Sequence, residues 1–153
     1  FAREMLGLPL SKAVKCSNYI GDALDYAAYC GFPEILLVGH AGKLCKLAAG
    51  GMNTHSSVCD SRREVFTAHA ALCGVERSAL EQLMEAVTVD ACIEILEQSG
   101  LRDTVLARIG EAIEAQLCRR LNGRARVEYI MFTERYGILA QSAGARALCE
   151  VLK

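Results

Sequence analysis

The stretch Ile35-Leu36-Leu37-Val38-Gly39-His40-Ala41-Gly42-Lys43-Leu44-Cys45-Lys46-Leu47-Ala48 decides the reading of the fold. Its first four residues are a continuous apolar run bounded by Pro33 and Gly39. Four residues are too few for a helix, so the run is predicted to be a strand buried on both faces, as in a parallel sheet. Lys43 to Ala49 then reads as a helical stretch ended by Gly50-Gly51. In open α/β sheets a strand that passes through a glycine-bearing turn into a helix is where ligands bind. The glycines permit close approach and the helix end offers free N–H donors. Gly39, Gly42, Lys43 and Lys46 are therefore candidates for holding an anionic group. The alternative is a tight turn whose glycines serve packing and whose lysines face water. The stretch is not a Walker A loop, because Leu37 stands where the first glycine belongs and Leu44 replaces the Ser/Thr. It is not G-x-G-x-x-G either.

Upstream, Ala13 to Cys16 is a weak candidate strand. Ser17 or Asn18 then caps a helix whose apolar face is Ile20, Ala23, Leu24, Ala27 and Ala28, and Gly31 stops it. Strand, helix and strand within the first 40 residues predict a Rossmann-like βαβ start. Downstream the pattern turns helical. One helix carries Val58, Val65, Phe66, His69, Leu72 and Cys73 on one side, with His69 read as a satisfied core histidine. Ser78 and Glu81 read as a capping box that opens a short helix, and Thr88 caps the next, with Val89, Ile93 and Leu96 inward. The longest helix runs from about Asp103 to Leu121, and Asn122-Gly123 ends it. Val127 to Phe132 and Tyr136 to Ala140 are strand-like, and Ala143 to Leu152 is a terminal helix. The fold class is α/β: a small, mostly parallel sheet with flanking helices and a helix-rich middle, in one domain spanning residues 1–153.

Composition narrows the function classes. The 153 residues are 52% hydrophobic and 23% charged, which excludes disorder and low complexity. With 17 basic and 18 acidic residues the net charge is −1, against a nucleic-acid binder that works by neutralising phosphates. No run approaches the roughly 18 apolar residues of a membrane span. The chain opens on Phe1 rather than Met, and its opening is apolar, which suggests a piece of something longer. Eight cysteines lie at 16, 30, 45, 59, 73, 92, 118 and 149, with no Cys-x-x-Cys among them. They read as reduced core cysteines of a cytoplasmic protein, not as disulfides or metal ligands.

A second polar constellation follows the first. Gly50-Gly51-Met52-Asn53-Thr54-His55-Ser56 places four adjacent polar side chains after a glycine turn, where Asn53, Thr54 and Ser56 offer donors to an anion, or Asn53 or Thr54 merely caps the helix that follows. Imidazole is the side chain suited to acid–base work near neutral pH, which makes His55 a candidate for it. His40 ends the strand, and Asn18 and Asp22 border a crevice with Gly39 if the two βα turns are neighbours. Arg62 and Arg63 reach the same anion or face water. The three histidines lack close metal-ligand spacing.

Lys15 to Ala27 (KCSNYIGDALDYA), Leu36 to Ala48 (LLVGHAGKLCKLA) and Met52 to Ser56 (MNTHS), in that order, resemble the CbiD family of anaerobic cobalamin biosynthesis. The likeness is strongest over residues 5–75 and looser beyond. It implies transfer of a methyl group from S-adenosylmethionine to carbon 1 of a cobalt-containing, carboxylate-rich contracted tetrapyrrole. It also implies that this chain is the C-terminal half of an enzyme whose N-terminal half, with its Gly/Thr-rich segment, has no counterpart here. Lys43, Lys46, Asn53, Thr54 and His55 suit such a polyanion, and the carboxylate of adenosylmethionine would suit the same turn. His40 and His55 are the candidates for an acid–base or orienting role. The competing reading is a non-catalytic domain that binds an anionic ligand or assembles the enzyme. A homo-oligomer is left open.

Overall fold

A computed structural model describes residues 1–11 and 13–153. In chain order the elements are α1 (Ala2–Leu6), α2 (Ile20–Tyr29), β1 (Glu34–His40) and α3 (Ala41–Leu44), which runs on as a 3-10 turn (Cys45–Ala49). Then come α4 (Arg62–Leu72), α5 (Arg77–Glu85), α6 (Val89–Gln98), α7 (Arg102–Leu121), β2 (Arg126–Thr133), β3 (Gly137–Gln141) and α8 (Ala145–Leu152).

The apolar run forms the heart of β1, and its side chains alternate between two cores. Ile35 and Leu37 point into the main one, while Leu36 and Val38 meet a smaller cluster of Leu6, Ile130, Ala145 and Cys149. β1 is an edge strand, so of residues 35–38 only Leu37 is buried. Its parallel neighbour is β2, in a register that sets Glu34 opposite Arg126 and His40 opposite Phe132. β3 then pairs antiparallel to β2 across a bulge at Met131/Phe132.

The sheet is thus mixed rather than mostly parallel, in the order β1-β2-β3. The expected βαβ start is not formed. Residues 13–16 have no strand structure, and Val14 is 87% exposed. A four-residue segment with one β-branched side chain and a lysine has too little apolar surface to hold a sheet edge. The partner of β1 comes instead from the far end of the chain, through the helices between them.

The helix readings fare better. α6 is capped by Thr88, whose hydroxyl accepts the Ala91 N–H at 3.1 Å, and it buries Val89, Ile93 and Leu96. α7 buries Val105, Leu106, Ile109, Ile113 and Leu117 and packs along the 3-10 turn, meeting Cys45 and Leu47 in the main core. It ends at Asn122 with φ 47°, a left-handed conformation that asparagine tolerates. α2 departs from expectation, because its N-cap is Tyr19 with no capping side chain. Ser17 is itself left-handed (φ 51°), and Asn18 faces elsewhere. No capping box forms at Ser78, which lies inside α5, and Glu81 pairs with Arg77 instead. Val58 and Leu72 are exposed rather than core-facing. His69 is half-buried, and its Nδ1 has no hydrogen-bond partner, so it is not a satisfied core histidine.

All eight cysteines are free thiols, but only Cys45, Cys92 and Cys149 are buried, while Cys30 and Cys118 are exposed. Burial pushes the Cys45 thiol up to about 12 and Cys92 up to about 11, which makes them unreactive packing groups. Among the described residues no helix is long and apolar enough to cross a membrane.

Candidate functional site

The two polar constellations meet. The segment before α2 and the segment after the 3-10 turn are laced together: the Thr54 N–H donates to the Asn18 carbonyl at 2.9 Å, and the Gly21 N–H to the Met52 carbonyl at 3.0 Å. Tyr19 and Asn53 form an isolated antiparallel bridge. The lacing brings Asn18, Lys43, Lys46 and Thr54 into one cluster. The Asn18 amide oxygen accepts from the Lys43 ammonium and from the Thr54 hydroxyl, the latter at 3.4 Å.

The two lysines face opposite ways. Lys43 is exposed, and its charge stands at the rim. Lys46 is 3% exposed, with Nζ donating to the Thr54 carbonyl at 2.9 Å and lying 3.5 Å from the Asp60 carboxylate. Its charge therefore serves the fold. Asp60 also receives Arg62 at 2.9 Å; that hydrogen bond, followed by the charges of Arg62 and Lys46, holds its carboxyl below the ordinary range. Arg63 donates to the Met84 carbonyl at 3.2 Å.

His40 and His55 differ in surroundings but share a tautomer. His40 ends β1 and is the N-cap of α3: its Nδ1 accepts the Gly42 N–H at 3.0 Å, which fixes the proton on Nε2 in the neutral ring. Nε2 lies 3.0 Å from the exposed Glu134 carboxylate, just past β2, and the ring stands edge-on to Phe132. The turn's free N–H is thus satisfied by its own histidine. A Cβ at Gly42 would lie 3.2 Å from that Nδ1, and one at Gly39 would lie 3.0 Å from Leu44, so both glycines serve close packing.

His55 is exposed. Its Nδ1 accepts the Ser57 N–H at 3.2 Å and lies 2.7 Å from the Ser57 hydroxyl, and its own N–H donates to Asn53 Oδ1 at 3.1 Å. Nε2–H therefore points away from the loop. Asp22 and Ser56 are exposed at the surface of the same region. Among the described residues, no group of three or more His, Cys, Asp or Glu side chains is placed to hold a metal ion.

Sequence reasoning missed Asp60 and Glu134, the partners of Lys46 and His40. Glu134 becomes visible only once β1 is paired with β2, because that register carries the chain past Phe132 to the end of β1. Nothing local marks Asp60.

The architecture is that of an α/β domain with a polar cluster beyond the carboxyl end of a parallel strand, the usual place for a ligand in such sheets. A family model described as "CbiD, C-terminal domain" matches residues 53–143, more than half of the chain. The chain belongs to the CbiD family. It is 50% identical over 134 residues to a protein of Ruminiclostridium cellulolyticum, covering 88% of this chain and 35% of that one. It is 36% identical over its whole length to a protein of Photorhabdus laumondii, of which it covers 41%. It is 35% identical over 80% of its length to one of Methanocaldococcus jannaschii, covering 34% of that protein. Each of the three is named cobalt-precorrin-5B C(1)-methyltransferase, and the chain spans well under half of each. No solved structure matches.

Proposed function

We propose that the chain is part of a methyltransferase that moves the methyl group of S-adenosylmethionine to carbon 1 of cobalt-precorrin-5B in the anaerobic cobalamin pathway. The observation that carries the reading is the 50% identity over 88% of the chain to a protein of that name. The reaction is an in-line displacement: the ring carbon attacks the sulfonium methyl, the carbon–sulfur bond breaks, and its electron pair stays on sulfur as a thioether. Positioning alone can supply about 7–11 kcal/mol of such a barrier. Cobalt arrives within the macrocycle, as part of the substrate.

In this reading the chain contributes the wall that faces the substrate's carboxylates, working in the cytoplasm together with the further length its relatives have. Lys43 supplies the charge, and Asn18, Asn53 and the outward Nε2–H of His55 supply neutral donors. The same donors fit the carboxylate of adenosylmethionine. Lys46, Thr54, Gly39 and Gly42 hold the wall in shape, and Asp22 and Ser56 border it.

A specific observation favours a second reading, in which the chain binds and positions but does no proton transfer. Both imidazoles have Nδ1 occupied by a backbone N–H, so the neutral rings present donors rather than bases. A chimaera in which this chain replaces the matching segment of the Ruminiclostridium cellulolyticum protein tests both readings. Mass spectrometry is expected to detect one added methyl on cobalt-precorrin-5B. A folded chimaera that binds both substrates and transfers nothing would contradict the methyltransferase reading. In an active chimaera, His55→Ala and His40→Asn retain kcat if the second reading holds, and abolish it if the imidazoles carry protons.

A further inference from the structure

β1 has the composition of a central strand and the position of an edge strand. Its interior, Ile35-Leu36-Leu37-Val38-Gly39, holds no charge and no proline, and its register with β2 runs unbroken from Glu34 to His40. Edge strands are ordinarily kept from pairing further by lysines, prolines, bulges or shortness. The opposite edge follows that rule, since β3 is five residues long and joins β2 across a bulge. β1 does not.

Its free side is a row of unpaired backbone groups. The Arg126 N–H donates to the Pro33 carbonyl at 2.8 Å, and alternate residues of a parallel ladder turn to the same neighbour, so Ile35, Leu37 and Gly39 face β2. The N–H and C=O groups of Leu36 and Val38 therefore point outward, and among the described residues no backbone hydrogen bond reaches them. The chain leading into β1 is aromatic and uncovered. Tyr26 and Tyr29 of α2 are 68% and 84% exposed with their rings 6.3 Å apart, and Phe32, two residues ahead of the strand, is 58% exposed. Aromatic side chains are concentrated at interfaces, whereas ordinary exposed apolar residues are scattered singly.

We propose that the free edge of β1 takes a further strand from the part of the enzyme that this chain does not span. The chain covers 35% and 41% of two relatives, so more than half of their length lies elsewhere in the same polypeptide. A tethered segment meets the edge at high effective concentration, which a second copy arriving from solution does not. Backbone pairing holds the incoming strand, and its apolar side chains cover the half-buried Ile35, Leu36 and Val38. Any strand laid along this edge brings one of its ends beside the carboxyl end of β1, and so beside Asn18 and Lys43, giving the polar wall a second side. The inference rests on family membership and is independent of methyl transfer.

The test is amide hydrogen exchange, read residue by residue, on this chain and on the chimaera in which it replaces the matching segment of the Ruminiclostridium cellulolyticum protein. The Ile35 and Leu37 amides, which face β2, report that the sheet is intact in each. The Leu36 and Val38 amides are expected to exchange freely in the chain and about a hundredfold or more slower in the chimaera. Val38→Pro in the chimaera removes an outward donor and no bond to β2, and is expected to speed the Leu36 amide about tenfold or more. Tyr29→Ser/Phe32→Ser, changed only at exposed positions, is expected to act in the same direction. Free exchange of Leu36 and Val38 in the chimaera, or protection there that neither variant lowers, overturns the proposal. Slow exchange already in the chain alone also overturns it, and a dependence on chain concentration then assigns the edge to a second copy.

Discussion

Lys43 and Lys46 stand three residues apart, and sequence alone gives them the same meaning: cations beside a glycine turn. The fold separates them. Residues 54–60 fold over Lys46, which gains a carbonyl and a carboxylate, while Lys43 keeps its face to solvent. Lys46→Met is therefore expected to lower unfolding free energy by about 1–3 kcal/mol, the cost of deleting a charge-assisted hydrogen bond, as read by urea denaturation. Lys43→Met is expected to stay within about 0.5 kcal/mol of the parent, as surface substitutions do. The difference was not legible in the sequence, because a covering loop leaves no periodic trace. Most residues of the cluster were legible, since glycine turns and runs of short polar side chains have few other uses. His40 illustrates the limit: its position at the strand end could be read, but its capping bond to Gly42 could not.

At the scale of elements, the helices were legible where period and punctuation agreed. α7 shows its core face every third or fourth residue and stops at Asn122-Gly123, while the segment 13–16 offers neither. What joins elements is harder to read. α8 is held to the sheet through Glu128 of β2, which accepts the Ser142 hydroxyl, the Gly144 N–H at 3.0 Å and Arg126 at 2.8 Å. Burial pushes this carboxyl up, but the Ser142, Arg126 and Gly144 contacts outweigh it and hold the pKa below the ordinary range. A carboxyl lowered in the folded state contributes stability above its unfolded pKa and loses it as pH falls through the folded value. Stability is therefore expected to fall on acidification below the ordinary carboxylate range. Glu128→Gln should flatten part of that fall, as measured by denaturant melts across the acid limb. α2 and α7 make a second joint, in which Arg120 donates to the Gly21 carbonyl at 3.2 Å and to Asp25 at 2.8 Å. A Cβ at Gly21 would lie 2.6 Å from the Arg120 guanidinium carbon, so Gly21→Ala should break this joint and lower the melting temperature.

At the scale of the molecule, the sheet is assembled from the two ends of the chain, and the long helical middle brings them together. The apolar run at 35–38 predicts a parallel pair, but the partner is β2 rather than residues 13–16, because local sequence carries no record of a strand almost 90 residues away. The resulting geometry sets Asn18, Lys43 and the 53–55 loop beyond the end of β1, where the proposed function puts the carboxylates of the substrate. That placement is the central claim, and the KM for cobalt-precorrin-5B tests it most directly, measured in the Ruminiclostridium cellulolyticum chimaera with and without Lys43→Met. A KM about tenfold higher is expected in the variant, the loss of one charge-assisted contact, with the melting temperature unchanged. A KM equal to that of the parent chimaera would contradict it.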